Sequence, residues 1–288
     1  MTARPLMLAL AISASLLAGC KQQAAGSPAA GDAARLRSLG SLQFKPCSLP
    51  SPFPQGDPLE AQCTTFAVPE DRSKPGGRSV ALNIAWIPPR NTSDPATDPV
   101  FFLAGGPGQA AVATFPGLEP AFKDVMKDRG IVLVDQRGTG KSNPLTCKSE
   151  GSEKIDSDVA AARAWMEGCI AELSGKADLR RYTSTEAVAD LEAVRKAIGA
   201  DKINLIGVSY GTRMAQQYAL RHPQHVRTVT LDSPVPNTLG LGNIFARNLD
   251  SALQAQFTLC KESPACKERM GDPRAELQAV LARLRANP

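Results

Sequence analysis

Lys202-Ile203-Asn204-Leu205-Ile206-Gly207-Val208-Ser209-Tyr210-Gly211 runs straight into a helix-forming stretch that stops at Pro223. Ile203, Leu205 and Ile206 make a short apolar strand, and Gly207-Val208-Ser209-Tyr210-Gly211 is a G-x-S-x-G set where strand turns into helix. Small residues at both ends of such a turn let strand and helix approach, and they force the central serine into a strained, exposed position. The helix N-terminus beside it favours an anion forming there. Ser209 is therefore the candidate nucleophile.

Working outward, the segments around this turn alternate between strand and helix. Residues 63–68 and 79–87 read as a strand pair, the second alternating Val80, Leu82, Ile84 and Trp86 against Ala81, Asn83 and Ala85. Val100-Phe101-Phe102-Leu103 and Ile131-Val132-Leu133-Val134 are too apolar to have a solvent face, so both are central strands. The first runs into Ala104-Gly105-Gly106-Pro107-Gly108, where bare backbone amides can face a ligand. The second runs into Asp135-Gln136-Arg137-Gly138-Thr139-Gly140-Lys141-Ser142, which imitates a phosphate-binding loop but has Asp135 where that pattern needs glycine. Helices are expected over 157–173 and from the capping box Thr183-Ser184-Thr185-Glu186 to Gly199, with Val188, Leu191, Val194 and Ile198 on one face. Residues 226–231 form one more strand, ending at Asp232. The pattern predicts an α/β fold, a mostly parallel sheet flanked by helices, with functional turns at the strands' carboxyl ends. From 237 to 288 only helices follow, over 245–260 and 273–285, the latter with Leu277, Val280, Leu281 and Leu284 on one stripe.

Composition narrows the function class. The 288 residues are 43% hydrophobic with a net charge of +5, the basic residues scattered, so nucleic-acid binding gains no support. There are two histidines, His222 and His225, and no Cys/His spacing suited to a metal; no cofactor is implied. Arg4, an apolar run over 6–17 and Leu17-Ala18-Gly19-Cys20 form a secretion signal too short to span a membrane stably. Its last four residues resemble a bacterial lipoprotein signal, which implies acylation of Cys20 and a lipid-anchored place in the bacterial cell envelope. By the same resemblance Lys21 after the cysteine favours the outer membrane or periplasmic face. Residues 21–40 read as a flexible tether, 41–236 as a partial core and 237–288 as the start of a helical cap. Cys47, Cys63, Cys147, Cys169, Cys260 and Cys266 remain, an even number in an exported chain, and fall into three sequence-local couples: Cys47 with Cys63, Cys147 with Cys169, and Cys260 with Cys266.

Gly105-Gly106-Pro107-Gly108, the stretch from Asp135 to Ser142 and Gly207-Val208-Ser209-Tyr210-Gly211, in that order, resemble the α/β-hydrolase-fold prolyl iminopeptidase and tripeptidyl aminopeptidase family. The resemblance implies that Ser209 attacks a peptide carbonyl and that the backbone amides of Gly106 and Tyr210 form the oxyanion hole. Ala104 replaces the histidine that often opens the family's glycine motif. In this fold the triad runs serine, acid, histidine, and the family's acid and histidine lie on loops after the cap; neither is present in this sequence. His222 and His225 follow the elbow helix too closely to return to Ser209, and Asp232 is expected to shape its turn. The chain is accordingly expected to be a truncated or split form lacking the fold's last strands, with an exposed edge at 226–231. Activity is expected to be absent or weak unless a separately encoded C-terminal segment supplies the base. Three readings stand: an aminopeptidase-type serine hydrolase acting on peptides, an esterase on small acyl esters, and a non-catalytic peptide-binding lipoprotein.

Overall fold

A computed structural model describes residues 36–148, 158–240, 242 and 244–287. The signal residues with Cys20, the tether up to residue 35 and Ser157 lie outside the described residues.

Eight strands form one sheet: β1 (Arg37–Leu39), β2 (Leu42–Leu49), β3 (Leu59–Pro69), β4 (Ser79–Ile87), β5 (Val100–Leu103), β6 (Ile131–Val134), β7 (Ile203–Val208) and β8 (Val226–Asp232), in the order β1-β2-β3-β4-β6-β5-β7-β8. β5 and β6 are buried at every residue, as their unbroken apolar runs demand. β4 buries Val80, Leu82 and Ile84 and exposes Ser79 and Ala81, as its alternation requires. The expectation of a mostly parallel sheet holds for β6-β5-β7-β8; the pairings from β1 through β4 to β6 are antiparallel, so the sheet is mixed. The tether also yields its last residues to the sheet, because β1 pairs with β2 and Leu42 and Phe44 of β2 enter the core at period two.

The helices are α1 (Ala111–Thr114), α2 (Val125–Asp128), α3 (Val159–Ser174), α4 (Ser184–Ala197), α5 (Tyr210–Arg221), α6 (Phe245–Glu262), α7 (Pro264–Met270) and α8 (Pro273–Ala286). Thr183 caps α4 by accepting from the Glu186 amide at 3.4 Å, and Gly199 follows its end at φ 73°. Alternate residues of the sheet feed two cores. One joins Leu82, Ile84, Phe101 and Leu103 to Val188, Leu191 and Val194 of α4 and Met214 and Tyr218 of α5. The other joins Val100, Phe102 and Leu133 to Phe115, Phe122 and Met126. Phe102, Phe115 and Phe122 meet edge to face, with centroids 4.9 to 5.9 Å apart.

α4 and α5 are also joined by a buried polar cluster. Arg195 donates through Nε and Nη2 to Glu192 at 2.8 and 2.7 Å, and the fully buried Tyr218 hydroxyl donates to Glu192 Oε2 at 2.8 Å. Burial pushes the Glu192 carboxyl up, but hydrogen bonds from Arg195 and Tyr218 and the arginine's charge outweigh it and hold the group at about 2, against an ordinary 4.5. A carboxyl lowered in the folded state stabilises the fold fully above its ordinary value, and that contribution disappears as pH falls from about 4.5 toward 2. The shift corresponds to about 3 kcal/mol. Urea unfolding of Glu192→Gln is therefore expected to be less stable than wild type at pH 7 and to show a flatter acid limb. Parallel acid limbs in the two proteins would refute the assignment.

Disulfides join Cys47 to Cys63, Cys147 to Cys169 and Cys260 to Cys266, with Cα atoms 5.1 to 5.7 Å apart. The first ties β2 to β3, and the last joins α6 to α7. β8 is exposed along nearly its whole length, including Val229 and Leu231. Phe245, Leu249 and Leu259 of α6 and Val280 and Leu284 of α8 are exposed too.

Candidate active site

Strand order places the site. β5 has β6 on one side and β7 on the other, so the chain reverses its direction of winding at β5, and the crevice beyond the carboxyl ends of β5 and β7 is a topological switch point. β5 ends in the turn over 105–108, and β7 ends in Ser209.

Ser209 has φ 53° and ψ −118°, a strained conformation for a residue with a Cβ. Close packing imposes it. A Cβ on Gly207 would stand 2.6 Å from the Gly211 carbonyl carbon, and one on Gly211 would stand 2.7 Å from the Leu103 carbonyl carbon. Strand β7, helix α5 and the end of β5 thus meet backbone to backbone. The Ser209 amide donates to the Asp232 carbonyl at 2.9 Å, and the Ser209 carbonyl accepts from the Thr212 amide at 3.0 Å and the Thr212 hydroxyl at 2.6 Å. Among the described residues the Ser209 hydroxyl has no hydrogen-bond partner, and its residue is partly exposed.

The glycine turn lies directly against this serine. A Cβ on Gly105 would stand 3.0 Å from both Ser209 Cβ and the Val208 carbonyl oxygen. Gly106 follows at φ 102°, and Gln109 N–H closes the turn on the Gly105 carbonyl at 3.3 Å. Tyr210 is the first residue of α5, where an amide has no partner inside the helix. Its side chain is pinned by a 2.6 Å contact between its hydroxyl and that of Ser184.

Both histidines stand at the other end of α5. Its twelve residues span about 18 Å, with His222 at the C-cap against Tyr218 and His225 Nδ1 at 3.0 Å from the Asp201 carbonyl. Neither comes within hydrogen-bond reach of Ser209. Asp232 serves the elbow through its carbonyl, while its carboxylate accepts from the Ser233 hydroxyl at 3.0 Å. Among the described residues no cluster of histidine, cysteine and carboxylates is arranged to hold a metal.

Sequence reasoning missed two sets of residues. Thr212, Arg213 and Gln216 on α5 hold the segment after β8: Thr212 Oγ1 accepts from Val235 N–H at 2.8 Å, Gln216 donates to the Val235 carbonyl at 3.0 Å, and Arg213 donates to the carbonyls of Pro236, Asn237 and Leu239. The second is the loop over 135–142, which wraps around its own aspartate and buries Arg137. An acidic residue at the end of a wholly apolar strand was the available signal.

From 98 to 286 the chain matches the family described as alpha/beta hydrolase fold. It is 30% identical over 251 residues to a tripeptidyl aminopeptidase of Streptomyces lividans, covering 80% of this chain and 46% of that protein. It is 30% identical over 255 residues to the serine protease Hip1 of Mycobacterium tuberculosis, with the same shares covered. A proline iminopeptidase of Neisseria gonorrhoeae is 29% identical over 140 residues, 49% of this chain and 34% of that protein. The chain thus spans about half the length, or less, of these curated relatives.

Proposed function

The chain belongs to the α/β-hydrolase family, and on that premise we propose that it carries the nucleophile and oxyanion hole of an aminopeptidase-type serine hydrolase, which releases N-terminal residues or short peptides through an acyl-enzyme on Ser209. The observation that carries this reading is the close approach of the Gly105 turn to the strained Ser209, so tight that a Cβ at position 105 would stand 3.0 Å from Ser209 Cβ. In the first step Ser209 Oγ bonds to the substrate's carbonyl carbon, its proton passes to a base, and the carbonyl oxygen takes the negative charge. The amides of Gly106 and Tyr210 receive that charge; one such donor is worth about 2.7 to 4 kcal/mol in the transition state. Collapse breaks the C–N bond, the amine leaves with the proton, and water then cleaves the ester. Relatives named as tripeptidyl aminopeptidase and proline iminopeptidase support peptides as the substrate class.

A base must come within hydrogen-bond reach of the Ser209 hydroxyl, and neither histidine of this sequence does. We infer that the base and its acid reach Ser209 from residues beyond this sequence. That the Ser209 hydroxyl has no hydrogen-bond partner among the described residues also favours a second reading, a peptide-binding protein that keeps the fold without turnover; an esterase differs from the first reading only in the leaving group. The lipoprotein-like Cys20 and the three disulfides support placement in the cell envelope, outside the reducing cytoplasm.

One experiment addresses these points together. A fluorophosphonate probe applied to cells producing the full gene product is expected to label one band that partitions with membranes, and Ser209→Ala is expected to abolish it. An unlabelled wild-type band would move the binding reading to the front, and a labelled band in the soluble fraction would remove the lipid anchor. Turnover of proline or tripeptide anilides in preference to acyl esters would separate peptidase from esterase.

A further inference from the structure

The stretch from Asp135 to Ser142 has no part in the chemistry above, yet it is built around one side chain. Asp135 is 1% exposed at the carboxyl end of β6. Its Oδ1 accepts from the Val112 amide at 2.9 Å, and its Oδ2 accepts from Asn83 Nδ2 at 2.8 Å and from the Lys141 amide at 3.2 Å. These donors come from three segments: Asn83 from β4, Lys141 from the loop itself, and Val112 from the short run that follows the glycine turn. The Ser142 hydroxyl donates to the Asp135 carbonyl at 2.7 Å and accepts from the Asn83 amide at 2.8 Å, closing the bracket from behind. A cavity of ≈ 20 Å³, room for about one water, is lined by Asp135 together with Ala104, Gln109 and Met214.

The Val112 contact is the one that matters for the site. Only Gln109, Ala110 and Ala111 separate Val112 from Gly108, and of these Gln109 donates its N–H to the Gly105 carbonyl. Residues 105–112 are held by the turn's own closure, by the Thr114 amide and hydroxyl on the Ala110 carbonyl at 3.0 and 2.8 Å, by burial of Ala111 in the core, and by Asp135. The Thr114 bonds are local to the run that follows the turn, so Asp135 is the side-chain hydrogen bond that ties this run to the end of β6.

Resting on the functional reading above, the geometry points to Asp135 as a positioning residue that fixes the 105–108 turn, and with it the Gly106 amide, at the distance from Ser209 that an oxyanion requires. It acts through the turn and does not touch substrate. Displacement of a reacting geometry by about 1 Å can cost on the order of 10²-fold in rate, so the effect falls on acylation and not on the probe's initial binding.

The test uses the full gene product and three forms: wild type, Asp135→Asn, and the exchange Asn83→Asp/Asp135→Asn. Asp135→Asn keeps the volume, but its amide group must turn a donor toward Val112 or toward Asn83 and Lys141. The exchange lets the new amide at 135 donate to the new carboxylate at 83 while its oxygen accepts from Val112, and leaves only the Lys141 amide, held at 3.2 Å in the wild type, without its acceptor. Fluorophosphonate acylation of Asp135→Asn is expected to slow on the order of 10²-fold at saturating probe with half-saturation unchanged. Hydrogen exchange in a peptide spanning 105–112 is expected to quicken at least about tenfold, with the β7 peptide unmoved. The exchange variant is expected to recover most of both. Acylation and 105–112 exchange within about twofold of wild type in Asp135→Asn would overturn the proposal. So would quickened hydrogen exchange throughout the sheet with no recovery in the exchange variant, which marks a merely structural residue. If wild type is never acylated, the functional reading fails by itself, and the hydrogen-exchange arm still decides whether Asp135 holds the turn.

Discussion

Gly211→Ala is expected to destabilise the fold by more than about 3 kcal/mol and to leave Ser209 unreactive toward fluorophosphonate. Overpacking of a core ordinarily costs about 1 to 3 kcal/mol, because side chains find other rotamers. Here no side chain can give way. The added methyl would stand 2.7 Å from the Leu103 carbonyl carbon and 2.8 Å from the Ala104 carbonyl oxygen, both backbone atoms at the end of β5. Relief requires α5 to move off the sheet, which pulls Tyr210 and its amide away from the glycine turn. Stability and acylation should therefore fall together. Gly168, on the exposed side of α3, is the control: a Cβ there meets nothing within 4 Å, so Gly168→Ala is expected to be neutral or to gain up to about 1 kcal/mol from helix propensity. Similar melting temperatures for wild type and Gly211→Ala would show that strand and helix can separate at no cost, and would sink the close-contact account of the elbow.

Arg137→Met is expected to cost about 3 to 5 kcal/mol, the usual range for removing one partner of a buried ion pair. The Arg137 side chain is fully buried. Its Nε and Nη2 donate to the two oxygens of Asp190 at 2.7 Å each, and its Nη1 donates to the carbonyls of Glu70 and Arg181 at 3.0 Å. One guanidinium thus joins the loop after β6 to α4, to the end of β3 and to the turn before α4. Methionine fills the space but leaves Asp190, among the described residues, with only the part-exposed Arg72 as a cationic partner, and the Glu70 and Arg181 carbonyls without the guanidinium's donors. Adding Asp190→Asn removes the stranded charge, so the double variant is expected to be less than additive in urea unfolding. Additive losses would mean that the two side chains act independently. A loss under about 1 kcal/mol in the single variant would mean that water replaces the guanidinium.

These two sites differ in how far they were legible in advance. Gly211 belongs to a contiguous pattern: five residues between an apolar strand and a helix stop state that backbone must meet backbone there. Arg137 lies in a motif whose local pattern imitates a phosphate-binding loop, and its partner Asp190 is 53 residues away in the middle of a helix. Nothing in either residue's local spacing points to the other.

The same division runs through the molecule. By itself the sequence determined the order of the strands from β3 to β8 and of the helices α3, α4, α5, α6 and α8, the elbow at Ser209, the glycine turn before it and the three couples of cysteines near each other along the chain; β1, β2 and the short helices α1, α2 and α7 were not legible in it. Each feature so determined is a local signal, written in periodicity, capping or turn chemistry within a few residues. Tertiary structure alone decided that the N-terminal half of the sheet is antiparallel, that residues 37–39 belong to it, that Asp135 grips the run after the glycine turn, and that α5 holds the segment leaving β8. Those outcomes depend on which distant segments become neighbours once the apolar faces are buried, and local spacing carries no record of that choice.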